Sequence, residues 1–280
     1  MRFWQQHVII TGGSSGIGKA VARLLVKQGA NVSIIARTPA RLEATKTELE
    51  AIRIAETQRV IAVPADVAER SQIIPAVETA VDQIGPPQVL ITCAGMSHPG
   101  HFIDLPVEIF EQTMAVNYFG TLYSIKAVYP WMVKQRHGHI VLVSSGAGLI
   151  GLFSYTAYSP TKFAVRALAE SLRGELKPHG IKVSIVYPPD VDTPQLHQEN
   201  KTKPNETKLM TGPAGVLSAE QVADALVEGL KQKRWLIAPG LEMKLLARWH
   251  SLLMPGLNWY FDRLVARVQR STGNLLQEEE

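Results

Sequence analysis

This sequence predicts an α/β protein built on a doubly wound parallel sheet with helices on both faces. Short apolar runs alternate with helical stretches along most of the chain, and no internal repeat or low-complexity segment breaks the alternation. The first run leads straight into a glycine-rich turn that opens a helix. The runs fall at 7–10, 31–35, 60–63, 89–92, 139–143 and 182–186, with a short last one at 236–238. All are rich in Val and Ile or wholly apolar, as strands covered on both faces are. After the first run Ile17, Val21, Leu24 and Leu25 recur on one helix face, and further helical stretches lie around 41–56, 73–83, 108–136, 158–176 and 219–231. Ligands of such sheets bind beyond the carboxyl ends of the strands. That rim collects residues 12–18, Arg37, Asp66, Ala94 and Gly95, Ser145, and residues 188–193.

The 280 residues, 46% of them apolar, suit one large dinucleotide-binding domain over 1–240 and a helical tail over 241–280. The single cysteine, Cys93, excludes an intramolecular disulfide and fits a reducing compartment. It stands in the apolar run 89–94, where a small buried residue is expected rather than a reactive thiol. The first strand begins within a few residues of Met1, with no visible signal peptide, so a cytoplasmic location is expected. His98, His101, His137 and His139 come without a set of metal ligands; they read as loop or surface residues, and no metal is expected. A formal net charge of +4 is modest, and nothing suggests a nucleic-acid groove.

Chemistry is concentrated in two places. In the turn after the first strand, Gly12, Ser14, Ser15, Gly16, Ile17 and Gly18 let the backbone approach a pyrophosphate, which the helix N-terminus then meets with free N–H groups and a positive dipole end. The second strand ends at Ala36-Arg37, where an NAD site usually places a carboxylate for the ribose 2′-hydroxyl. Arg37 and Arg41 offer guanidinium groups to a 2′-phosphate instead, so NADPH/NADP+ is the expected cofactor. In the second place, Tyr158 and Lys162 stand four residues apart on one helix face. An ammonium beside a phenol lowers its pKa from about 10. Tyr158 is thereby suited to give a proton to a ketone oxygen, while one of the preceding serines, Ser144 or Ser145, fixes that oxygen.

Together these motifs resemble the short-chain dehydrogenases and reductases over roughly the first 235 positions. The resemblance implies a Rossmann-type sheet. Residues 11–18 look like the family's cofactor turn, Asp66 and Val67 like its adenine contact, and Cys93-Ala94-Gly95 like its Asn-Ala-Gly motif. Asn117, Ser145, Tyr158 and Lys162 look like its catalytic tetrad; Ser145 is preferred to Ser144 because it stands thirteen positions before the tyrosine, the family's usual spacing. By the same resemblance Asn117 holds a water that connects Lys162 to a proton relay, Lys162 also holds the nicotinamide ribose, and Pro188, Val191 and Thr193 join the cofactor contacts. Pro160, between tyrosine and lysine, is tolerated near a helix start.

Where the family usually has Pro-Gly, this chain has Pro188-Pro189-Asp190, and a polar stretch over 198–207 follows, of which residues 200–207 lie where such a fold places its substrate-covering loop. These stretches, with Gly151-Leu152-Phe153, resemble the 3-ketodihydrosphingosine reductases within the family, which reduce the ketone of a long-chain amino alcohol with NADPH. A lipid-like substrate is therefore expected. Another apolar ketone or alcohol, of steroid, retinoid or 3-oxoacyl type, is the alternative, and a non-catalytic NADPH-binding protein is a third reading. In the tail, Leu241, Leu245, Trp249 and Leu252 recur at helical spacing, Pro255-Gly256 interrupts, and Leu257, Tyr260, Phe261, Leu264, Val265 and Val268 resume. Five basic against two acidic residues over 241–270 leave a charge of +3. Two amphipathic helices are expected there, lying either in a membrane interface or on the protein's own core or a second subunit. Family members often pair through the helices at 108–136 and 158–176, so a homodimer or homotetramer is expected.

Overall fold

The structure is a computed structural model and describes residues 3–212 and 215–277, with side chains to residue 270. Seven parallel strands form the central sheet: β1 (His7–Thr11), β2 (Asn31–Ala36), β3 (Val60–Pro64), β4 (Val89–Thr92), β5 (Gly138–Val143), β6 (Ile181–Val186) and β9 (Leu236–Ile237). Their order is β3-β2-β1-β4-β5-β6-β9. The chain winds outward from β1 to β3, returns to place β4 on the other side of β1, and winds outward again. That reversal opens a crevice above β1 and β4, where Thr11 pairs with both Ile35 and Thr92.

Alternation along each strand divides the core. Ile9, Leu90, Ile140 and Ile185 face α3 (Arg70–Ile84), α5 (Gly120–Gln135) and α6 (Ser159–Leu176), whose Val77, Val128 and Val165 are fully buried. Val8, Ile10, Ile34 and Val141 face α1 (Gly16–Val26), α2 (Pro39–Glu50) and α9 (Ala219–Lys231), which contribute Leu25, Leu49 and Leu226. Burial on both faces is why the strands read as continuous apolar runs. His139, expected in a loop or on the surface, is instead buried in β5: its Nε2 lies 2.7 Å from Ser184 Oγ, and that hydroxyl donates on to the Arg234 carbonyl.

The stretch read as one helix over 108–136 has three parts. After α4 (Val107–Met114) comes a π-helical segment, Ala115–Phe119, and then α5. The wide turn carries Asn117 and often marks a functional position. Between β6 and α9 the chain makes an excursion that strand and helix periods did not reveal. It contains β7 (Asp190–Asp192), α7 (Pro194–Glu199), α8 (Asn205–Thr211) and β8 (Val216–Ser218), with β7 and β8 paired as a separate parallel ribbon. Thr193 accepts from the Leu196 N–H and Pro194 takes the first turn, a helix start that is readable in retrospect.

The tail differs from expectation. A single helix, α10 (Leu241–Gln277), runs through Pro255. Proline removes one N–H donor and crowds the preceding turn, but the flanking turns keep the helix continuous here. Met243 and Ala247 are buried against the body of the protein, and α10 touches α8 and the short 3-10 turn Gly146–Gly148. The stripe of Leu241, Leu245, Trp249 and Leu252 is the outward one and is exposed. Among the described residues no helix is long and apolar enough to cross a membrane.

Candidate active site

At the crevice, backbone and ligand space are created by glycine. Gly12 has a φ of +69°, and a Cβ there would stand 2.6 Å from the Ala94 nitrogen. A Cβ on Gly18 would run into the Gly12 carbonyl, so the turn closes this tightly only without side chains. No side chain caps the N-terminus of α1, and its first turn holds no acidic residue. Those free N–H groups and the dipole end face a cleft of about 630 Å³ lined by Gly12, Ser14, Ser15, Gly16, Ile17 and Gly18. Arg37 and Arg41 edge the same cleft, with Val67, Ala94, Gly95, Pro188, Val191 and Thr193. This uncapped, acid-free helix end with arginines beyond it suits a dinucleotide pyrophosphate. Asp66 is not part of the lining: its Oδ1 accepts from the Ala68 N–H at 3.0 Å, and its Oδ2 lies 3.8 Å from Arg37 Nη1.

Ser145, Tyr158 and Lys162 line the other part of the cleft. Tyr158 stands at the N-cap of α6, and Pro160 falls in the first turn as expected, where no N–H is missed. The Lys162 ammonium lies 5.5 Å from the Tyr158 ring centre and donates to the Val143 carbonyl at 3.2 Å. Of the two serines, both on the cleft wall, Ser144 donates to the Lys162 carbonyl at 3.0 Å, while Ser145 accepts from the Ala147 N–H at 3.2 Å and pulls the Tyr158 phenol down. Asn117 is buried and does not line the cleft. Its Oδ1 accepts from the Met96 N–H at 2.8 Å, while its Nδ2 donates to the Met96 carbonyl and to Thr161 Oγ1, both at 2.9 Å. The side chain clamps the strand-end segment after Gly95 to the start of α6, one residue before Lys162.

Electrostatics correct one expectation. Burial, and after it the Glu199 carboxylate, hold the Tyr158 phenol above its ordinary value, against the opposite pull of Ser145 and Gln195. The lowering expected from Lys162 does not figure among these influences; the phenol is enclosed and a carboxylate stands near. Burial likewise lowers Lys162, to about 8, with Cys93 and Glu199 opposing. Burial pushes the Cys93 thiol up to about 12, as fits an inert packing residue.

A second group of polar residues gathers at the cleft, Tyr155 from just before α6 and the others from the excursion; the sequence places Asp190 on the rim and Lys203 in the substrate-covering loop but gives no role to Tyr155, Gln195 or Glu199. Tyr155 donates to Glu199 Oε2 at 2.7 Å, and Gln195 Nε2 donates to Glu199 Oε1 at 2.8 Å. Lys203 Nζ meets Asp190 Oδ2 at 3.0 Å and stands 3.8 Å from Glu199 Oε2. Tyr155, Asp190, Gln195 and Glu199 all line the cleft. Tyr155 and Gln195 carry no sequence signal beyond the Tyr155-x-x-Tyr158 spacing and the polar character of their surroundings.

Comparisons with known proteins agree with this architecture. A family profile described as short chain dehydrogenase matches residues 6–204. The chain is 47% identical over 227 residues to the 3-dehydrosphinganine reductase of Danio rerio, covering 81% of this chain and 68% of that protein. It is 39% identical over 286 aligned positions to the 3-ketodihydrosphingosine reductase of Dictyostelium discoideum, covering 96% and 84% respectively. Among solved structures, levodione reductase superposes with a TM-score of 0.77 at 22% identity over 85% of this chain and 97% of the other, which supports the fold alone. Dehydrogenases of this family work with a nicotinamide cofactor, and the glycine turn, the uncapped helix end and the cleft-lining Ser145, Tyr158 and Lys162 fit one. The chain belongs to the short chain dehydrogenase family and is an oxidoreductase.

Proposed function

We propose that this protein reduces 3-ketodihydrosphingosine to dihydrosphingosine with NADPH. The observation that carries the reading is a cleft joining an arginine-edged dinucleotide end to a buried tyrosine–lysine pair, in a chain 39% to 47% identical to reductases named for that substrate. Bound NADPH supplies the hydride. Arg37, 58% exposed at its side chain and only 3.8 Å from Asp66, has the freedom to turn from that weak pair to a 2′-phosphate, with Arg41 beside it. Tyr158, held protonated by its burial, gives its proton to the ketone oxygen as the carbon accepts hydride. Ser145 orients that oxygen, and Lys162 stabilises the phenolate left behind.

Purified protein offered NADPH with 3-ketodihydrosphingosine, a short β-keto ester and a steroid ketone tests the reading. Selective consumption with the sphingoid ketone is the expected result; turnover of only another ketone would keep the reductase and discard the sphingolipid role. The exposed apolar stripe of α10, with Lys244 and Arg248 beside it and Arg263 stacked 4.0 Å from the Trp259 ring centre, supports peripheral contact with a lipid surface. Co-sedimentation with anionic vesicles, weakened by Trp249→Ser, is the expected result, and equal binding by the variant would remove α10 from that role. The exposed Phe119 and Phe163, on the helical stretches expected to pair subunits, support a homo-oligomer, which sedimentation velocity would read as a dimer or tetramer and a monomer would overturn.

A further inference from the structure

Glu199 is a buried carboxylate, only 7% exposed at its side chain, on the wall of the catalytic cleft. The polar contacts the structure gives it are two neutral donors, Tyr155 Oη and Gln195 Nε2, and its nearest ammonium, Lys203, lies 3.8 Å away. Lys203 is engaged more closely by Asp190 at 3.0 Å. The direct cluster therefore holds two carboxylates against one ammonium, an excess of one negative charge in a place where an incompletely matched charge is costly. Lys162 is a further cation within electrostatic reach, and its ammonium is held by the Val143 carbonyl. The Tyr155 ring, which hands its hydroxyl to Glu199, lies 5.5 Å centre to centre from the ring of Tyr158. The carboxylate thus stands about one aromatic ring from the group that protonates the ketone.

We propose that Glu199 is a specificity-determining residue that receives the ammonium group of the substrate, carried on the carbon next to the ketone. This rests on the reading of the substrate as a long-chain amino ketone and names how that substrate is told from others. A steroid, retinoid or 3-oxoacyl ketone brings no cation and leaves the excess charge unmatched, whereas an α-ammonium ketone supplies it and is thereby oriented with its carbonyl toward Tyr158 and Ser145. Discrimination of this kind is strong because the unsuitable ligand leaves a buried polar group without its partner. Gln195 and Tyr155 hold the carboxylate in place from two sides, and Lys203 ties the following turn to β7 through Asp190.

The test uses the full chain with NADPH and three ketones of equal chain length: the free amino ketone, its N-acetyl form and the counterpart lacking nitrogen. Wild type should favour the free amine. In Glu199→Gln, kcat/KM for the amine should fall about 10- to 100-fold more than for the nitrogen-free ketone, mainly through KM, as for a charge-assisted hydrogen bond. Glu199→Asp, which keeps the charge at shorter reach, should recover part of the preference. An amine preference that survives Glu199→Gln would overturn the assignment while leaving the proposed function standing. Equal losses on all three ketones would reduce Glu199 to a structural tether and also overturn it. A wild-type enzyme that reduces the nitrogen-free ketone but not the amine would overturn the inference and the proposed function together, and that comparison needs no variant to fold.

Discussion

The two ends of the central sheet both bury titratable side chains, and they use them differently. At the amino ends of the strands, His7 Nδ1 donates to the Gly85 carbonyl at 2.6 Å, which fixes the tautomer and leaves Nε2 to accept from Ser33 at 2.7 Å. His139 has the opposite arrangement, since Ser184 already donates to Arg234 and must accept from Nε2. Burial holds both imidazoles down to about 4, and neither lines the catalytic cleft. At the carboxyl ends, Tyr158, Lys162 and Glu199 are also buried but line that cleft. Burial and a displaced pKa therefore mark both ends; a cavity lined by titratable groups distinguishes the one proposed for chemistry.

The largest effect should come from removing the proton donor. Tyr158→Phe should lower turnover about 10²- to 10⁴-fold, the usual share of a general acid, with NADPH binding by fluorescence titration retained. Near-normal turnover would leave the cleft without its chemistry and dissolve the contrast. Next in size, Arg37→Asp should cut the kcat/KM preference for NADPH over NADH by about 10- to 100-fold, from the loss of a charge-assisted phosphate contact and the repulsion that replaces it. An unchanged cofactor ratio would assign the phosphate to Arg41 or to backbone alone.

A smaller effect follows from Lys162. Its pKa is lowered to about 8, so its charge is complete below that value and lost as pH rises through it. Tyr158 is shifted the other way and keeps its proton over the same range. Reductive kcat/KM should therefore fall about tenfold per pH unit above 8, if only the charged lysine supports proton release. A profile flat to pH 10 would separate the rate from the Lys162 charge.

What the sequence made legible at each end follows from how local the signal is. The first strand, glycine turn and α1 lie within twenty residues, and Tyr158 and Lys162 within one helical turn, so each can be read without knowing the fold. Glu199 could not be read in this way. Its contact with Tyr155 joins α7 to the segment before α6, which the chain separates by 44 residues and no sequence period connects. The π-helical turn at Asn117 leaves the apolar period nearly intact, so the sequence showed one helix and hid the clamp on Met96. In the tail, Pro255 suggested a break that the helix does not make, and of the places left open for the apolar stripe at 241–252 the protein's own core is not the one it covers, since the stripe faces outward. Periodicity reports that a helix has two faces; packing decides which one the protein covers.

The smallest effect on turnover, and the one that sharpens the contrast most, concerns His7. Its folded pKa lies below the unfolded value, so between about 6.5 and 4 the unfolded chain binds more protons and stability falls as pH falls; fully expressed, one such imidazole accounts for about 3 kcal/mol. The contribution is present above the unfolded pKa and is lost toward the folded one, because protonation would make Nε2 a donor and force the Ser33 hydroxyl to reverse. His7→Gln should cost about 1 kcal/mol at pH 7 for the imperfectly replaced hydrogen bonds, leave KM and kcat near their wild-type values, and lose less stability than wild type between pH 7 and pH 4.5. Urea midpoints at the two pH values, beside NADPH consumption at pH 7, measure this directly. Equal acid losses in both proteins would show that the buried histidine carries no acid sensitivity, and a fall in turnover at pH 7 would show that the amino ends of the strands are not independent of the cleft.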